Sequence, residues 1–131
     1  MVPEYGSLSA AMSSLICAVL PLDISVADEH DVLVYWKGEG YRNCDPAYIG
    51  RDLRDCHSSS TMAVLEEILR AFKAGEKDLA EAWRRKPDGR MKRLRYYALR
   101  DADGNYRGIL EINEDLTEAR ALEGEQALPG W

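Results

Sequence analysis

The sequence predicts an α+β domain in which a five-stranded antiparallel sheet is crossed by one long helix, with further helices at both ends. Its 131 residues fit one domain. Three observations carry the prediction. Apolar residues recur with a helical period in residues 60–74, segments rich in β-branched and aromatic residues lie on both sides of them, and residues 87–89 and 101–105 have the composition of hairpin turns. Hairpins separated by a single helix favour an antiparallel sheet.

The N-terminal residues 1–22 are predicted to form a flanking helix that Ser7 or Ser9 starts and Pro21 ends. Its apolar residues share one helical face, and they are Leu8, Met12, Leu15, Ile16 and Val19. This stripe has two possible partners, the domain itself or another surface such as a second copy of the chain. In the second case these five residues form the interface of a homodimer.

Five strands are expected in the core, which we place at residues 23–115. The strands are predicted at residues 24–27, 32–36, 79–85, 91–100 and 106–113. The first two are joined by a polar turn at residues 28–31. In the fourth strand Leu94, Tyr96 and Ala98 alternate with Arg93, Arg95 and Tyr97, which predicts one apolar and one basic face. Glu111 interrupts the apolar last strand, and it is expected to face solvent or to pair with Arg95.

The long helix is predicted at residues 60–74, between capping serines and Gly75. Its apolar face is expected to comprise Val64, Leu65, Ile68, Leu69 and Phe72. Such a helix laid across a curved sheet can enclose a space for a small ligand.

The C-terminal residues 116–131 are predicted to form a last helix and a tail. Asp115 is expected to cap this helix, which extends to about Gln126. Its apolar stripe is thin, since it consists only of Leu116, Ala119 and Leu122.

Charge and cysteine content restrict the partners and the compartment. The 17 Lys and Arg residues against 23 Asp and Glu residues give a net charge of −6, so we expect no nucleic-acid partner. No apolar run approaches the ~20 residues of a membrane span, so no membrane association is expected. Cys17, Cys44 and Cys56 are odd in number and lack paired spacing, which favours a reducing, cytoplasmic setting.

The order of elements and three segments resemble a PAS domain. The segments are VADEHDVLVYWKGEG, YIGRDLRDCH and LRYYALRDADGNYRGILEINEDLTEAR, the last of which contains the Asp-x-Thr sequence Asp115-Leu116-Thr117. The resemblance covers residues 20–126. It is strongest to the PAS domains that accompany hemerythrin-like domains in prokaryotic sensor proteins, on residues 55–59 and 121–125. Two prolines of that pattern are serines here, Ser58 and Ser59.

The resemblance implies a sensory or regulatory domain that binds a small apolar or planar ligand between helix and sheet. Ligand occupancy would shift the last strand and the helix after it, and so signal to an output-domain protein. The expected ligand-binding residues are His57, Cys56, Leu65, Ile68, Leu69, Phe72, Tyr96 and Ile112. Haem is the leading cofactor hypothesis, with His57 as the axial ligand of the iron. The alternative for His57 is a helix cap or a hydrogen bond to a backbone carbonyl.

Other functions remain open at this stage. The main alternative is a ligand-free interaction module that dimerises through its flanking helices. A weaker one is a metal or thiol redox sensor at Cys56. Cys44 and His30 are also residue types that bind metals, but the spacing of these residues matches no known zinc site. The sequence has no phosphate-binding glycine loop, nucleophile elbow or zinc-protease sequence, so it is not expected to be an enzyme.

Overall fold

The computed structural model describes residues 3–38 and 45–131. In these ranges the chain forms three α-helices, two short 3₁₀ helices and five strands. They are α1 (Ala10–Val19), β1 (Asp23–Asp28), β2 (Leu33–Lys37), the 3₁₀ helices Pro46–Tyr48 and Leu53–Cys56, α2 (Ser59–Lys73), β3 (Leu79–Arg85), β4 (Met91–Arg100), β5 (Tyr106–Asp115) and α3 (Thr117–Arg120).

The five strands form one sheet in the order β2-β1-β5-β4-β3, and every neighbouring pair is antiparallel. The predicted α+β class and five-stranded antiparallel sheet are therefore confirmed. The central strand β5 pairs with both β1 and β4, and it places Glu111 opposite Ser25 on one side and opposite Tyr96 on the other. Residues that lie opposite each other point to the same face of a sheet, so these three side chains share a face.

The inner face of the sheet packs against α2. Phe72, Leu65 and Leu69 are at most 2% exposed and form one core cluster with Ala27 of β1 and Ile109 of β5. Phe72 thus lies in the core as predicted.

One residue assigned to the apolar face of α2 lies elsewhere. Val64 is 63% exposed, so its assignment was wrong. Each helical residue turns by about 100°, which carries Val64 away from the face that Leu65, Leu69 and Phe72 share.

The outer face of the sheet carries two basic residues of β4, Arg93 and Arg95. The guanidinium groups of Arg93 and Arg95 both donate to Oε1 of Glu114, Arg95 at 2.9 Å. The expected partner of Arg95 was Glu111, and that prediction was wrong because side chains alternate along β5. Glu114 lies on the face of Arg95, whereas Glu111 lies on the inner face with Tyr96.

The turn between β1 and β2 anchors the sheet to the helical side of the domain. Asp28 Oδ1 accepts hydrogen bonds from the backbone N–H groups of His30 and Val32, which closes the turn. Asp31 follows with a φ of 64°, and its carboxylate is buried. Its Oδ2 accepts from Arg54 at 3.0 Å and from Lys73 at 2.8 Å. A turn predicted only as polar therefore connects the hairpin to the second 3₁₀ helix and to α2.

Helix α1 is capped as predicted but packs loosely on the domain. Ser9 Oγ accepts a hydrogen bond from Met12 N, which selects Ser9 over Ser7 as the cap. Lys37 donates to the carbonyl oxygen of Cys17 at 2.6 Å and also to that of Leu20, so a strand cation holds the C-terminal end of the helix. No residue of α1 is buried. No helix in the described ranges is long and apolar enough to cross a membrane.

The C-terminal helix is shorter than predicted. It spans Thr117–Arg120 instead of extending to Gln126, and the residues after it are exposed. The N-cap position is Leu116, which makes no side-chain cap hydrogen bond, so the predicted cap is one residue away. Asp115 Oδ1 accepts from the backbone N–H of Thr117, the first residue of the helix, at 2.9 Å. Thr117 Oγ1 in turn accepts from Met91 N at 3.0 Å. Leu122 is 79% exposed, and a short helix that buries no apolar face is marginal in water.

Gly108 is a position where the fold requires glycine. Its φ is 155°, and a Cβ there would collide with the carbonyl oxygen of Ala27 on the paired strand. We expect Gly108→Ala to lower the free energy of unfolding by about 1–3 kcal/mol, measured by urea denaturation. Gly104→Ala is the control, since its φ is also positive but its Cβ would meet no atom within 4 Å. Equal losses in the two variants would contradict the proposed collision.

Candidate functional site

A small cavity lies between the inner face of the sheet and the second 3₁₀ helix. Its volume is about 20 Å³, which holds one or two water-sized groups. The cavity is mainly apolar but receives polar groups from four elements. Its lining residues are Ser25, Ala27, Leu33, Leu53, Cys56, His57, Tyr96, Ile109 and Glu111. We call this the inner cavity.

The inner cavity brings together three of the eight predicted ligand-binding residues, namely His57, Cys56 and Tyr96. Four others, Leu65, Ile68, Leu69 and Phe72, belong to or pack against the adjoining core cluster and do not line the cavity. Ile112 lies on the outer face, because it is one position from Glu111 along an alternating strand. Helix α2, which was predicted to line the ligand site, therefore packs in the core. The segment before it, with Leu53, Cys56 and His57, lines the cavity instead.

Glu111 lies on the inner face of the sheet, so the prediction that it faces solvent or pairs with Arg95 was wrong. It is only 6% exposed, and burial raises the pKa of its carboxyl group to about 7. A hydrogen bond from Asn113 Nδ2 to Glu111 Oε2, at 2.9 Å, opposes this shift. The inward position of Glu111 could have been predicted from Ile109, because residues two apart along a strand point to the same face of the sheet.

His57 is oriented by the backbone of the 3₁₀ helix. Its Nδ1 lies 3.0 Å from the carbonyl oxygen of Leu53, and a carbonyl can only accept, so Nδ1 carries a proton and donates it. This is the alternative that the sequence left open beside haem ligation. The other nitrogen, Nε2, points inward and lies 3.2 Å from Tyr96 Oη and 3.4 Å from Glu111 Oε1.

These contacts determine which atoms of the site can carry a proton. Burial raises the pKa of Tyr96 to about 12, so its hydroxyl stays neutral and can donate to Nε2. When Glu111 is protonated, its O–H can donate to neutral His57; when the proton moves to His57, the imidazolium N–H donates to the Glu111 carboxylate. The pair can therefore hold one shared proton in two arrangements.

The residues of this site do not fit haem. Both ring nitrogens of His57 already bind protein groups, and Nε2 lies against a carboxyl group. Cofactor sites usually measure about 300 Å³ or more, whereas the inner cavity measures about 20 Å³. The assignment of His57 as an iron ligand is therefore not supported by its surroundings.

We expect that haemin added to the purified chain produces no histidine-ligated Soret band. The reason is that iron binding at Nε2 must break the contacts to Tyr96 and Glu111 and enlarge the cavity many-fold. Absorption spectra of the wild type and of His57→Ala should coincide. A Soret band that the wild type shows and His57→Ala loses would restore the haem hypothesis.

Cys56 is buried in a second, smaller cluster. It is 8% exposed and packs with Leu33, Trp36 and Tyr48. Within residues 3–38 and 45–131, no three His, Cys, Asp or Glu residues are placed to hold a metal ion. Cys44, which the sequence grouped with Cys56 and His30, lies outside the described residues.

Comparison with known proteins establishes the family. The family model described as "PAS domain" matches residues 18–117. The match covers most of the sequence, including all five strands and α2, so the chain belongs to the PAS domain family. A comparison with curated proteins gives no match. The association with hemerythrin-like domains stays a prediction.

Solved structures show the same fold. A C-terminal domain from Streptococcus mutans matches with a TM-score of 0.80 and 23% identity, over 92% of this chain and 96% of that chain. A sensory box sensor histidine kinase from Vibrio cholerae matches with a TM-score of 0.57 and 13% identity, over 82% of this chain and 90% of that one.

A structure of the VqmA dimer from Vibrio cholerae also matches. Its TM-score is 0.56 and its identity 22%, over 92% of this chain. The chain spans only 56% of that VqmA chain. At these identities the structural matches concern the fold.

Proposed function

We propose that this chain is a sensory or regulatory domain whose inner cavity receives a small ligand. The observation that carries the proposal is the convergence of His57, Tyr96 and Glu111 on one cavity. These polar groups contact one another, and a few polar groups in a mainly apolar cavity are typical of a ligand site. A VqmA structure of similar fold is bound to DPO, which supports ligand recognition by this architecture.

The path of the signal follows β5. Glu111 lies four residues before Asp115, which ends the strand and accepts a hydrogen bond from Thr117, the first residue of α3. Thr117 is also bound to Met91 at the start of β4. A ligand that displaces Glu111 therefore acts on the strand whose end holds the C-terminal segment. We propose that this segment communicates with an output-domain protein, as in a sensor.

The size of the inner cavity sets a condition on the ligand. About 20 Å³ admits a group of a few atoms, so a larger apolar or planar ligand must move the lining. Leu33 and Leu53 lie on the side of β2 and the 3₁₀ helix, and Cys56 lies on the same short helix. A short 3₁₀ helix has poorer hydrogen bonds than an α-helix. We therefore propose that the 3₁₀ helix Leu53–Cys56 is the side of the cavity that moves when a larger ligand binds.

Native mass spectrometry of the full chain, after exposure to a cell extract, tests ligand binding. We expect the wild type to retain a small molecule and His57→Leu to lose it, because His57 supplies a polar group of the cavity. His30→Leu is the matched control, since His30 is exposed in the β1–β2 turn. Equal retention by both variants would contradict the assignment of the site, and no retention by the wild type would favour a ligand-free module.

A second candidate function, dimerisation, rests on α1. The predicted interface residues remain uncovered: Leu8 is 64%, Met12 48%, Leu15 62%, Ile16 38% and Val19 80% exposed. An amphipathic helix with an open apolar stripe is typical of a protein interface, and we propose that a second copy covers it. This function is compatible with ligand binding, since α1 contributes no residue to the inner cavity.

Sedimentation equilibrium tests the proposed dimer. We expect the wild type to be a dimer and Leu15→Glu to be a monomer, because a buried unpaired carboxylate is strongly disfavoured. Ser14→Glu adds the same charge at the neighbouring exposed position and should remain dimeric. A wild type that stays monomeric at high concentration would contradict the proposal.

We propose further that the chain is not an enzyme and binds no nucleic acid itself. The net charge of −6 supports the second statement. A cytoplasmic location also remains part of the proposal, supported by the odd number of cysteines.

A further inference from the structure

The inner cavity can carry a fixed negative charge, from Glu111. Among the lining residues that the structure describes, Glu111 is the only acid, and none is Lys or Arg. The groups that face Glu111 are Ser25 from β1, Tyr96 from β4, Asn113 from β5 and His57 from the segment before α2. His57 is thus the only one of these that can become a cation, and it does so only by taking up a proton.

The Lys and Arg residues nearest in sequence to the cavity form ion pairs with acids outside it. Arg54 and Lys73 both bind Asp31 of the turn between β1 and β2. Arg54 also binds Asp52 and Glu66. Arg93 and Arg95 lie on the opposite face of the sheet with Glu114. Among residues 3–38 and 45–131, no Lys or Arg therefore offers a fixed positive charge to an anionic ligand inside the cavity.

We propose that the inner cavity recognises a small protonated amine, or the ammonium head of a larger ligand, through the Glu111 carboxylate. This inference rests on the proposed function, because it specifies the ligand class of the same site. The ammonium donates N–H to the Glu111 carboxylate, while Tyr96 Oη and Ser25 Oγ are oxygen acceptors on the same face of the sheet. An ammonium group is about the size of a water molecule, which matches the cavity volume of about 20 Å³.

Recognition of a cation also moves a proton. When Glu111 is in its acid form, the protonated amine binds and the carboxyl proton leaves to solvent, so one positive charge enters as one leaves. When Glu111 is already ionised and His57 is neutral, binding releases nothing. Because burial raises the pKa of Glu111 to about 7, the released proton should approach one per ligand at pH 6 and fall close to zero at pH 8. Affinity should correspondingly rise about tenfold between these pH values.

Anions face the opposite situation. A carboxylate ligand needs Glu111 protonated, since otherwise it lies against a like charge. The protonated form of Glu111 becomes scarcer as the pH rises. The cavity should therefore discriminate between cations and anions of equal size, and most strongly at pH 8.

Two small ions of similar size test this inference in the full chain. Methylammonium and formate are titrated at constant ionic strength, and the ¹⁵N–¹H NMR signals of Cys56 and Ile109 report cavity binding. We expect methylammonium to shift these signals saturably, about tenfold more tightly at pH 8 than at pH 6, and formate not to shift them. Proton release is measured by calorimetry in two buffers that differ in ionisation enthalpy.

The variants separate the inference from general charge effects. Glu111→Gln should lose both the methylammonium shifts and the proton release, whereas Glu81→Gln, exposed on β3, should keep them. Equal binding by Glu111→Gln, stronger binding of formate, or no saturable shift with methylammonium would each overturn the inference. Because the pH dependence is measured in the wild type, the test does not depend on the folding of one variant. A neutral or anionic molecule retained in native mass spectrometry would overturn the inference and leave the proposed function standing.

Discussion

Replacing Phe72 by alanine is expected to lower the free energy of unfolding by about 3–5 kcal/mol. Phe72 is 1% exposed and packs with Leu65, Leu69, Ala27 and Ile109 where α2 meets the sheet. Its removal leaves a cavity that the strands cannot close, because the central strands are fixed by pairing on both sides. This is the largest single effect we expect in the fold.

Urea denaturation followed by circular dichroism measures the loss. Val64→Ala on the same helix is the control, since Val64 is 63% exposed and its truncation should change stability by less than about 0.5 kcal/mol. Similar losses in the two variants would mean that α2 does not present Phe72 to the sheet.

Replacing Glu111 by glutamine is expected to stabilise the domain at high pH and not at low pH. The folded-state pKa of Glu111 is raised from 4.5 to about 7. The folded state therefore binds the proton more tightly than the unfolded state, and the wild type loses stability as the pH rises from about 4.5 to 7. Glutamine imitates the protonated acid at every pH. We expect the variant to exceed the wild type by up to about 3 kcal/mol at pH 8, with little difference near pH 4.

Denaturation curves at pH 4, 6 and 8 measure this difference. Glu81→Gln, an exposed glutamate on β3, should follow the wild type at all three pH values. A Glu111→Gln variant that is less stable than the wild type at pH 8 would show that the ionised carboxylate stabilises the fold, contrary to our interpretation of the site.

The sheet and the long helix could be predicted because their signals are local. Period-2 alternation in β4 assigned Tyr96 to the inner face and Arg95 to the outer face, and the turn sequences placed the hairpins. The buried face of α2 could be predicted from its helical period in the same way. Val64 was also assigned to that face, but the helix turns it toward solvent.

The site could be predicted only in part because it depends on tertiary contacts. His57 and Tyr96 are 39 residues apart, and no local pattern shows that their side chains meet. Glu111 was given an outward position because a carboxylate in a strand usually faces solvent, whereas the alternation of β5 puts it with Ile109 inside. The length of the last helix was predicted wrongly for a similar reason. The hydrogen bond from Thr117 to Asp115 fixes the start of the helix, but only packing against the domain could extend it.

The carboxyl carbon of Glu111, followed by ¹³C NMR as the pH is changed, tests the inner cavity most directly. A buried acid facing His57 should titrate with a midpoint near pH 7. A midpoint near the ordinary value of 4.5 would show that the carboxyl group is solvated, and the cavity could then not be the polar ligand site that we propose.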